Sequence, residues 1–130
     1  MQINWNDKEP IYLQLRERLA ELILENELQE GEALPSVRQI SSELRINPIT
    51  VSKAFQIMVD EGLVEKRRGR GMYVITGARA KLTSNEKEKF FNDEWPAILK
   101  RIARLGLEIS KLPGIKAAIA GETNGHEGRE

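Results

Sequence analysis

The sequence predicts a mainly α-helical fold with one small β-hairpin. Three observations predict it. Apolar residues recur at helical spacing in the first thirty residues, two short helical patterns with a turn of about three residues follow, and two β-favouring runs then flank a glycine-containing turn. Two helices joined by so short a turn, followed by a hairpin, form a winged helix-turn-helix. The rest of the chain predicts a short C-terminal helical segment that pairs two copies.

The charge distribution is uneven although the net charge is zero. The 130 residues, enough for one compact domain with an appendage, include 20 basic and 20 acidic side chains. Residues 36–75 carry seven basic and four acidic side chains, whereas residues 1–35 carry three and eight. Because phosphate groups respond to local positive charge, this distribution favours a nucleic-acid partner at 36–75.

The chain has no cysteine, so disulfides and thiolate metal sites are excluded. No apolar run approaches the roughly 18 residues that a membrane span needs. The N-terminal residues also lack the basic-then-apolar pattern of a secretory signal. We therefore expect a cytoplasmic protein without a membrane partner.

The first helix is predicted from about Pro10 to about Leu28. Proline is favoured at the first helical position, where its missing N–H costs nothing. The apolar residues on one face are Ile11, Leu15, Leu19, Leu22 and Ile23. After this helix, Ala33 and Leu34 are interpreted as a one-rung strand beside the wing.

Two helix-start signals follow Pro35. Ser36, with a glutamine three residues on, forms a capping box and begins a helix that runs to about Leu44. Asn47 and Pro48 fit the N-cap and first position of a helix that runs to about Glu61. The three residues between Leu44 and Pro48 form the turn.

The wing is predicted from two short strands at 63–66 and 72–75. Residues 67–71 between them supply two glycines for a tight turn and three arginines at its tip. A linker is predicted at 76–81 and further helix from about residue 83. Pro96 either begins a new helix or kinks a long one.

These patterns divide the chain into three parts. The predicted organisation is a winged helix-turn-helix DNA-binding domain at 1–76, a helical dimerisation region at 77–120 and a disordered tail at 121–130.

No enzyme chemistry is apparent in the sequence. His126 is the only histidine, so a Cys/His metal cluster and a Ser–His pair are both excluded. The glycines at 69 and 71 do not form a phosphate-cradling loop, because no helix follows them. We therefore predict no catalytic residue, metal site or cofactor.

The helix predicted from Pro48 to about Glu61 has an outward face that fits DNA. A major groove about 12 Å wide admits one helix, and short polar side chains can reach phosphates or base edges. Arg38 would approach the phosphate backbone, and the wing arginines would lie on the backbone or in the minor groove. Each of these side chains also has a purely solvated or capping interpretation, Asn47 above all. The candidate DNA-binding residues are Arg38, Arg45, Asn47, Thr50, Ser52, Lys53, Arg68, Gly69 and Arg70.

Three motifs carry a resemblance to a known family. They are Leu34-Pro35-Ser36-Val37-Arg38, Asn47-Pro48-Ile49-Thr50-Val51, and Glu61-Gly62-Leu63-Val64 leading to Arg68-Gly69-Arg70-Gly71. Over Pro10 to Val74 the chain resembles the DNA-binding domain of the GntR family of bacterial transcription regulators. The opening Pro10-Ile11-Tyr12 is most similar to the YtrA subfamily, whose C-terminal part is a short helical dimerisation unit.

The resemblance implies a homodimeric, sequence-specific regulator, a repressor by preference, on a near-palindromic operator of a transporter operon. It implies DNA contacts from Arg38, from Asn47 and Thr50, and from the wing tip at Arg68 and Gly69. An unknown small-molecule effector is also compatible with it.

Two departures from the family pattern concern DNA reading. Many members have arginines where this chain has Pro48 and Ser52, and Lys53 partly replaces that function. Arg45 stands where glycine is frequent. A left-handed Arg45 would cost roughly 1–2 kcal/mol, which a phosphate contact of its side chain would offset.

Apolar residues of the C-terminal part are predicted to join two copies. They are Phe91, Trp95, Ile98, Ile102 and Leu105. The alternative is that they pack within one subunit. A second alternative concerns function: the winged helix could dock an acidic protein partner and bind no specific DNA. RNA binding is disfavoured, because the wing strands offer only Tyr73 for base stacking.

Overall fold

The computed structural model describes residues 1–127, with side chains described for residues 1–121. The elements are α1 (Ile11–Leu24), α2 (Val37–Leu44), α3 (Pro48–Asp60), β1 (Val64–Arg67), β2 (Gly71–Val74), α4 (Ala78–Lys89), α5 (Trp95–Arg104) and α6 (Ile115–Glu127). A π-helical turn (Phe90–Glu94) precedes α5, and a 3₁₀ turn (Ile109–Lys111) follows it. The mainly α class with a small hairpin is confirmed.

The chain divides into two compact units, of which the first spans Met1–Glu86 and the second begins at Lys87. The first unit therefore extends about ten residues beyond the predicted boundary at 76. The linker predicted at 76–81 is wrong, because α4 already begins at Ala78. Ala78 and Leu82 lie one helical turn apart and are both buried in the core.

The core of the first unit joins all its elements. α1 contributes one apolar face, α3 contributes another, and the wing strands close the core from the side. The most deeply buried large side chains are Leu15, Leu19, Ile23, Ile40, Val51, Met58, Leu63, Val64 and Val74. The apolar spacing read from the sequence thus predicted four of the five residues on the buried face of α1, whereas Ile11 in the first turn is 41% exposed and was assigned to that face wrongly.

Helix α1 ends four residues earlier than predicted, at Leu24. Asn26 adopts a left-handed conformation with φ of 65°. The Asn26 N–H bonds to the Ile23 carbonyl at 3.1 Å, and the Glu27 N–H bonds to the Leu22 carbonyl at 2.9 Å. This is a Schellman ending with asparagine in place of the usual glycine, because asparagine tolerates the left-handed region better than other residues.

An ion pair ties α1 to the end of α3. Arg16 donates from Nε to Glu61 Oε1 at 2.8 Å and from its terminal nitrogen to Glu61 Oε2 at 2.7 Å. These hydrogen bonds raise the pKa of Arg16 above its ordinary value. The bidentate geometry fixes the rotation of one helix against the other more firmly than a single contact would.

Both helix starts of the motif are confirmed. The Ser36 hydroxyl accepts the Gln39 N–H at 3.0 Å, and the Gln39 side chain accepts the Ser36 N–H at 2.8 Å. The Asn47 side chain caps α3, and Pro48 occupies its first turn. At the other end of α3, Gly62 has φ of 74° and terminates the helix.

The wing is an antiparallel pair in which each strand lies one residue from its predicted position. Val64 pairs with Val74, and Arg67 pairs with Gly71. The predicted one-rung strand is present, because Ala33 bridges to Tyr73. The wing is thereby tied to the segment that leads into α2.

The second unit contains the π-helical turn, α5, the 3₁₀ turn and α6. The Trp95 N–H bonds to the Phe90 carbonyl across the wide turn, and Pro96 follows in the first turn of α5. Because Glu94 and Trp95 both have α-helical backbone angles and no capping side chain is present, Pro96 interrupts a continuous helical stretch and does not begin a separate helix.

The C-terminal tail was predicted to be disordered over 121–130. The backbone is helical as far as Glu127, and residues 128–130 lie outside the described residues. Helix elongation adds one hydrogen bond for each residue fixed, so a helix nucleated at Ile115 can continue through weak helix formers.

The described residues contain neither a membrane-spanning helix nor a metal-binding group of side chains. No helix there is long and apolar enough to cross a membrane. No group of histidine and carboxylate side chains in that part of the chain could hold a metal ion.

The burial of α4 in the first unit is tested by Leu82→Ala. We expect the free energy of unfolding in urea to fall by about 2–5 kcal/mol, because the variant leaves a cavity in the core. Ser84→Ala changes an exposed residue of the same helix and should leave stability unchanged. Equal stability of the two variants would contradict the packing.

Candidate nucleic-acid interface

The turn between α2 and α3 is fixed by one strained residue and one serine. Arg45 closes α2 with φ of 56° and ψ of 48°, which is the left-handed conformation that the sequence raised as one possibility. The Ser41 hydroxyl donates to the Ile46 carbonyl at 2.6 Å, and the Ile46 N–H returns to the Ser41 carbonyl at 3.2 Å. The two helices are thereby held at one angle, with the Arg45 side chain exposed.

The polar face of α3 points to solvent. Asn47, Ser52 and Lys53 are exposed, and Thr50 is half-buried. The Asn47 side-chain oxygen accepts the Ile49 N–H at 2.9 Å. Asn47 is therefore a cap, and its amide group is the part that faces outward for another contact.

Lys53 is positioned by Tyr12, for which the sequence predicted no contact with Lys53. Its ammonium nitrogen lies 4.5 Å from the centre of the Tyr12 ring, at the start of α1. A cation over an aromatic face is attracted by the ring quadrupole. Lys53 thus remains exposed while its charge is held beside α1. In the sequence, Tyr12 belonged to the Pro10-Ile11-Tyr12 motif and lay next to the apolar face of α1, and neither feature indicates a partner on α3.

The wing tip presents two arginines rather than the three predicted. Because Arg67 pairs with Gly71, the loop consists of Arg68, Gly69 and Arg70, all exposed. Gly69 has φ of 76°, which a residue with a side chain rarely adopts.

The third arginine of this region, Arg67, belongs to β1. Its guanidinium lies 4.1 Å from the Tyr73 ring centre, and its Nε donates to the Glu65 carboxylate at 3.2 Å. The strand register turns it away from the tip. The prediction that Arg67 lies at the tip is therefore wrong.

A groove runs between the start of α2, the side of α3 and the wing. Its volume is about 510 Å³. Ser36 and Ser52 line it from the helices, and Lys66 and Arg70 line it from the wing, over an apolar floor that includes Phe55. Two cations on one wall of a concave surface suit a phosphate backbone. Lys66 was missed because its strand pattern does not reveal which face meets α3.

Arg38 completes the predicted set. It is exposed on the first turn of α2, the helix whose N-terminus carries the Ser36 capping box. All nine predicted DNA-binding residues thus belong to α2, α3, the turn between them, or the wing. They lie within the first unit.

The residues predicted to join two copies belong to the second unit. Phe91 lies in the π-helical turn and is 58% exposed, and Leu105 follows α5 and is 63% exposed. Ile98 is also exposed, whereas Trp95 and Ile102 are half-buried.

Comparison with known proteins decides the family. Residues 11–74 match the family described as bacterial regulatory proteins, gntR family. The HTH-type transcriptional repressor YtrA of Bacillus subtilis is 33% identical over 112 residues, which cover 86% of this chain and 85% of that protein. The chain belongs to the GntR family. Within it, the likeness to YtrA supports the YtrA-like subfamily predicted from the sequence.

Two further relatives match this chain over nearly their own whole length. The uncharacterized HTH-type transcriptional regulator YhcF of Bacillus subtilis is 30% identical over 122 residues, 93% of this chain and 99% of that protein. A putative GntR-family transcriptional regulator of Bacteroides thetaiotaomicron has a solved structure with a TM-score of 0.68 and 25% identity, covering 88% of this chain and 99% of that one. This GntR-family chain is a DNA-binding transcription regulator and not an enzyme.

The strain at Arg45 is tested by Arg45→Gly. Glycine adopts this conformation without a Cβ clash, so we expect the free energy of unfolding to rise by about 1 kcal/mol. Loss of the guanidinium should weaken DNA binding at the same time. Arg45→Ala is the matched control, because it removes the charge but keeps the clash. Urea unfolding measures stability and fluorescence anisotropy measures binding. A glycine variant no more stable than the alanine variant would contradict the strain.

Proposed function

We propose that this regulator is a homodimeric repressor that binds a near-palindromic operator. The observation that carries the proposal is the common placement of the turn, the polar face of α3 and the wing tip on the first unit, with all but Thr50 of the nine predicted residues exposed. In this arrangement α3 enters the major groove and the wing reaches the adjacent minor groove. The protein acts in the cytoplasm, where bacterial DNA is found.

The nine residues divide by the reach of their side chains. Asn47, Thr50 and Ser52 are short and stand on the first turns of α3, where helix-turn-helix proteins contact base edges. Arg38 and Lys53 are long and cationic, and they bind phosphates beside the groove. The remaining four act from outside α3: the Arg45 side chain reaches the backbone, and Arg68 and Arg70 flank Gly69 where the wing approaches the minor groove.

The dimer forms through a stripe of exposed and half-buried apolar residues in the second unit. Residues 91, 95, 98, 102 and 105 recur at spacings of four and three, which places them along one side of a helical segment. Apolar side chains gathered on one exposed stripe mark a surface that another protein covers. A second copy fits, because a two-fold dimer presents two winged domains to a two-fold operator. Half-sites then lie about 34–36 Å apart, or a multiple of it.

The biological role is inferred from similarity. YtrA of Bacillus subtilis is named a transcriptional repressor, which favours repression here. The YtrA-like subfamily favours a transporter operon as the target. A small-molecule effector would act by changing the spacing of the two winged domains, and thereby the fit to the two half-sites.

A second candidate function is a winged-helix module that docks an acidic protein. The exposed arginines at 68 and 70 favour this alternative. It differs from the DNA proposal in the role of α2 and α3, because a wing-docked protein partner does not need Arg38.

DNA binding is tested by Arg38→Ala and Arg68→Ala. On a duplex selected by this protein from a random pool, each variant should bind at least tenfold more weakly at moderate salt. The slope of log K against log salt should fall by about one unit, because one phosphate contact is lost.

Lys116→Ala is the control for these variants, because it removes an exposed cation from the second unit. Its affinity should match that of the unchanged protein. The unchanged protein and all three variants could instead bind the selected and the scrambled duplex with the same affinity. In that case the protein-docking function replaces the DNA proposal.

Dimerisation is tested by Ile98→Asp. A buried aspartate in the interface would be unpaired and costly, so sedimentation should report a monomer. Operator affinity should fall about a hundredfold or more, since two linked domains bind with avidity. Ile109→Asp makes the same change at an exposed isoleucine outside the proposed interface and should remain a dimer. A dimer that persists in Ile98→Asp would overturn the assignment.

A further inference from the structure

The most exposed large apolar side chain of the described residues stands on α3. Ile49 is 74% exposed. It lies about 160° around the helix axis from the buried Val51, so it points directly away from the core. Single exposed apolar residues are common on protein surfaces. Ile49 differs from such residues because it lies on the first turn of the helix that enters the major groove.

Two long polar side chains on the same face, further along α3, each make a contact within the protein. Lys53 is held over the Tyr12 ring at 4.5 Å. Gln56 donates from its amide to the Asp60 carboxylate at 2.9 Å. The leading turn of α3 itself presents short polar groups and one bulky aliphatic group.

Ile49 is also held rigidly. Its N–H bonds to the Asn47 side chain at 2.9 Å, and the preceding Pro48 has a fixed φ. In a helix, a β-branched side chain has one strongly preferred χ1 rotamer. Its methyl groups are thus presented in one place, and little side-chain entropy is lost on contact.

We propose that Ile49 is a specificity-determining residue that packs on the C5-methyl group of a thymine in each operator half-site. The major groove offers an apolar group at only one base, and that group is the thymine methyl. An aliphatic side chain gains free energy by packing on this methyl group. Against any other base pair it would leave the hydrogen-bonding groups of the base edge without a partner. The inference rests on the proposed sequence-specific binding, because it names one element of the sequence that is read.

The test removes the methyl group from the DNA and the aliphatic group from the protein in turn. Duplexes are selected from a random pool by the full-length protein, and each thymine of a half-site is then replaced singly by deoxyuridine. Base pairing is preserved, so only the methyl is lost. Burial of one such group corresponds to about fourfold in affinity for each half-site, or about fifteenfold when both carry the change.

The same duplexes are measured with Ile49→Ala and Ile49→Val. At one thymine position, the thymine-to-uracil ratio should fall from about fourfold to near one in the alanine variant. The valine variant, which keeps a branched methyl, should retain most of the ratio. Ile109→Ala, which changes an exposed isoleucine in the second unit, should leave it unchanged.

The possible outcomes distinguish a failure of this inference from a failure of the proposed sequence-specific DNA binding. If the unchanged protein prefers the selected duplex but no deoxyuridine weakens binding, the inference is overturned alone. The same follows if deoxyuridine weakens binding equally in the unchanged protein and in Ile49→Ala. If the protein does not prefer the selected duplex over a scrambled one, the sequence-specific function is overturned, and this inference falls with it.

Discussion

The packing of α3 against α1 is the constraint on which the interface depends. Val51, Ala54, Phe55 and Met58 bury one side of α3, so the opposite side has to face solvent. The bidentate pair of Arg16 with Glu61 fixes the rotation of α3 at its far end. Burial therefore decides which side chains DNA can meet, because an amphipathic helix has only one orientation that removes its apolar face from water.

The turn before α3 contains a strained residue, Arg45, whose conformation sets the position of α3. Arg45 occupies a conformation that glycine would adopt without cost. Strained non-glycine residues persist where the surrounding structure holds them, and they often lie at functional sites. Here Ser41 hydrogen-bonds across the turn, and the strained residue carries a cation on the proposed DNA face. The same turn thus sets the helix angle and supplies charge.

Aromatic rings hold two of the cations in this region. Lys53 rests on Tyr12, and Arg67 rests on Tyr73. The two cases lead to different roles. Lys53 remains beside α3 with its position restricted, which would lower the entropy cost of its proposed phosphate contact. Arg67 is held along the strand with Glu65 and leaves the wing tip to Arg68 and Arg70. A basic run in sequence is therefore not a uniform basic patch in space.

The sequence by itself determined the features that depend on neighbours within one helical turn. The caps of α2 and α3 and the glycine at the wing tip follow from local hydrogen bonding and backbone sterics, which act over three or four residues. Only the tertiary structure decided the rest. Tyr12 meets Lys53, Lys66 faces the groove, and Leu82 completes the core, because each is a contact between distant segments that depends on how whole elements pack.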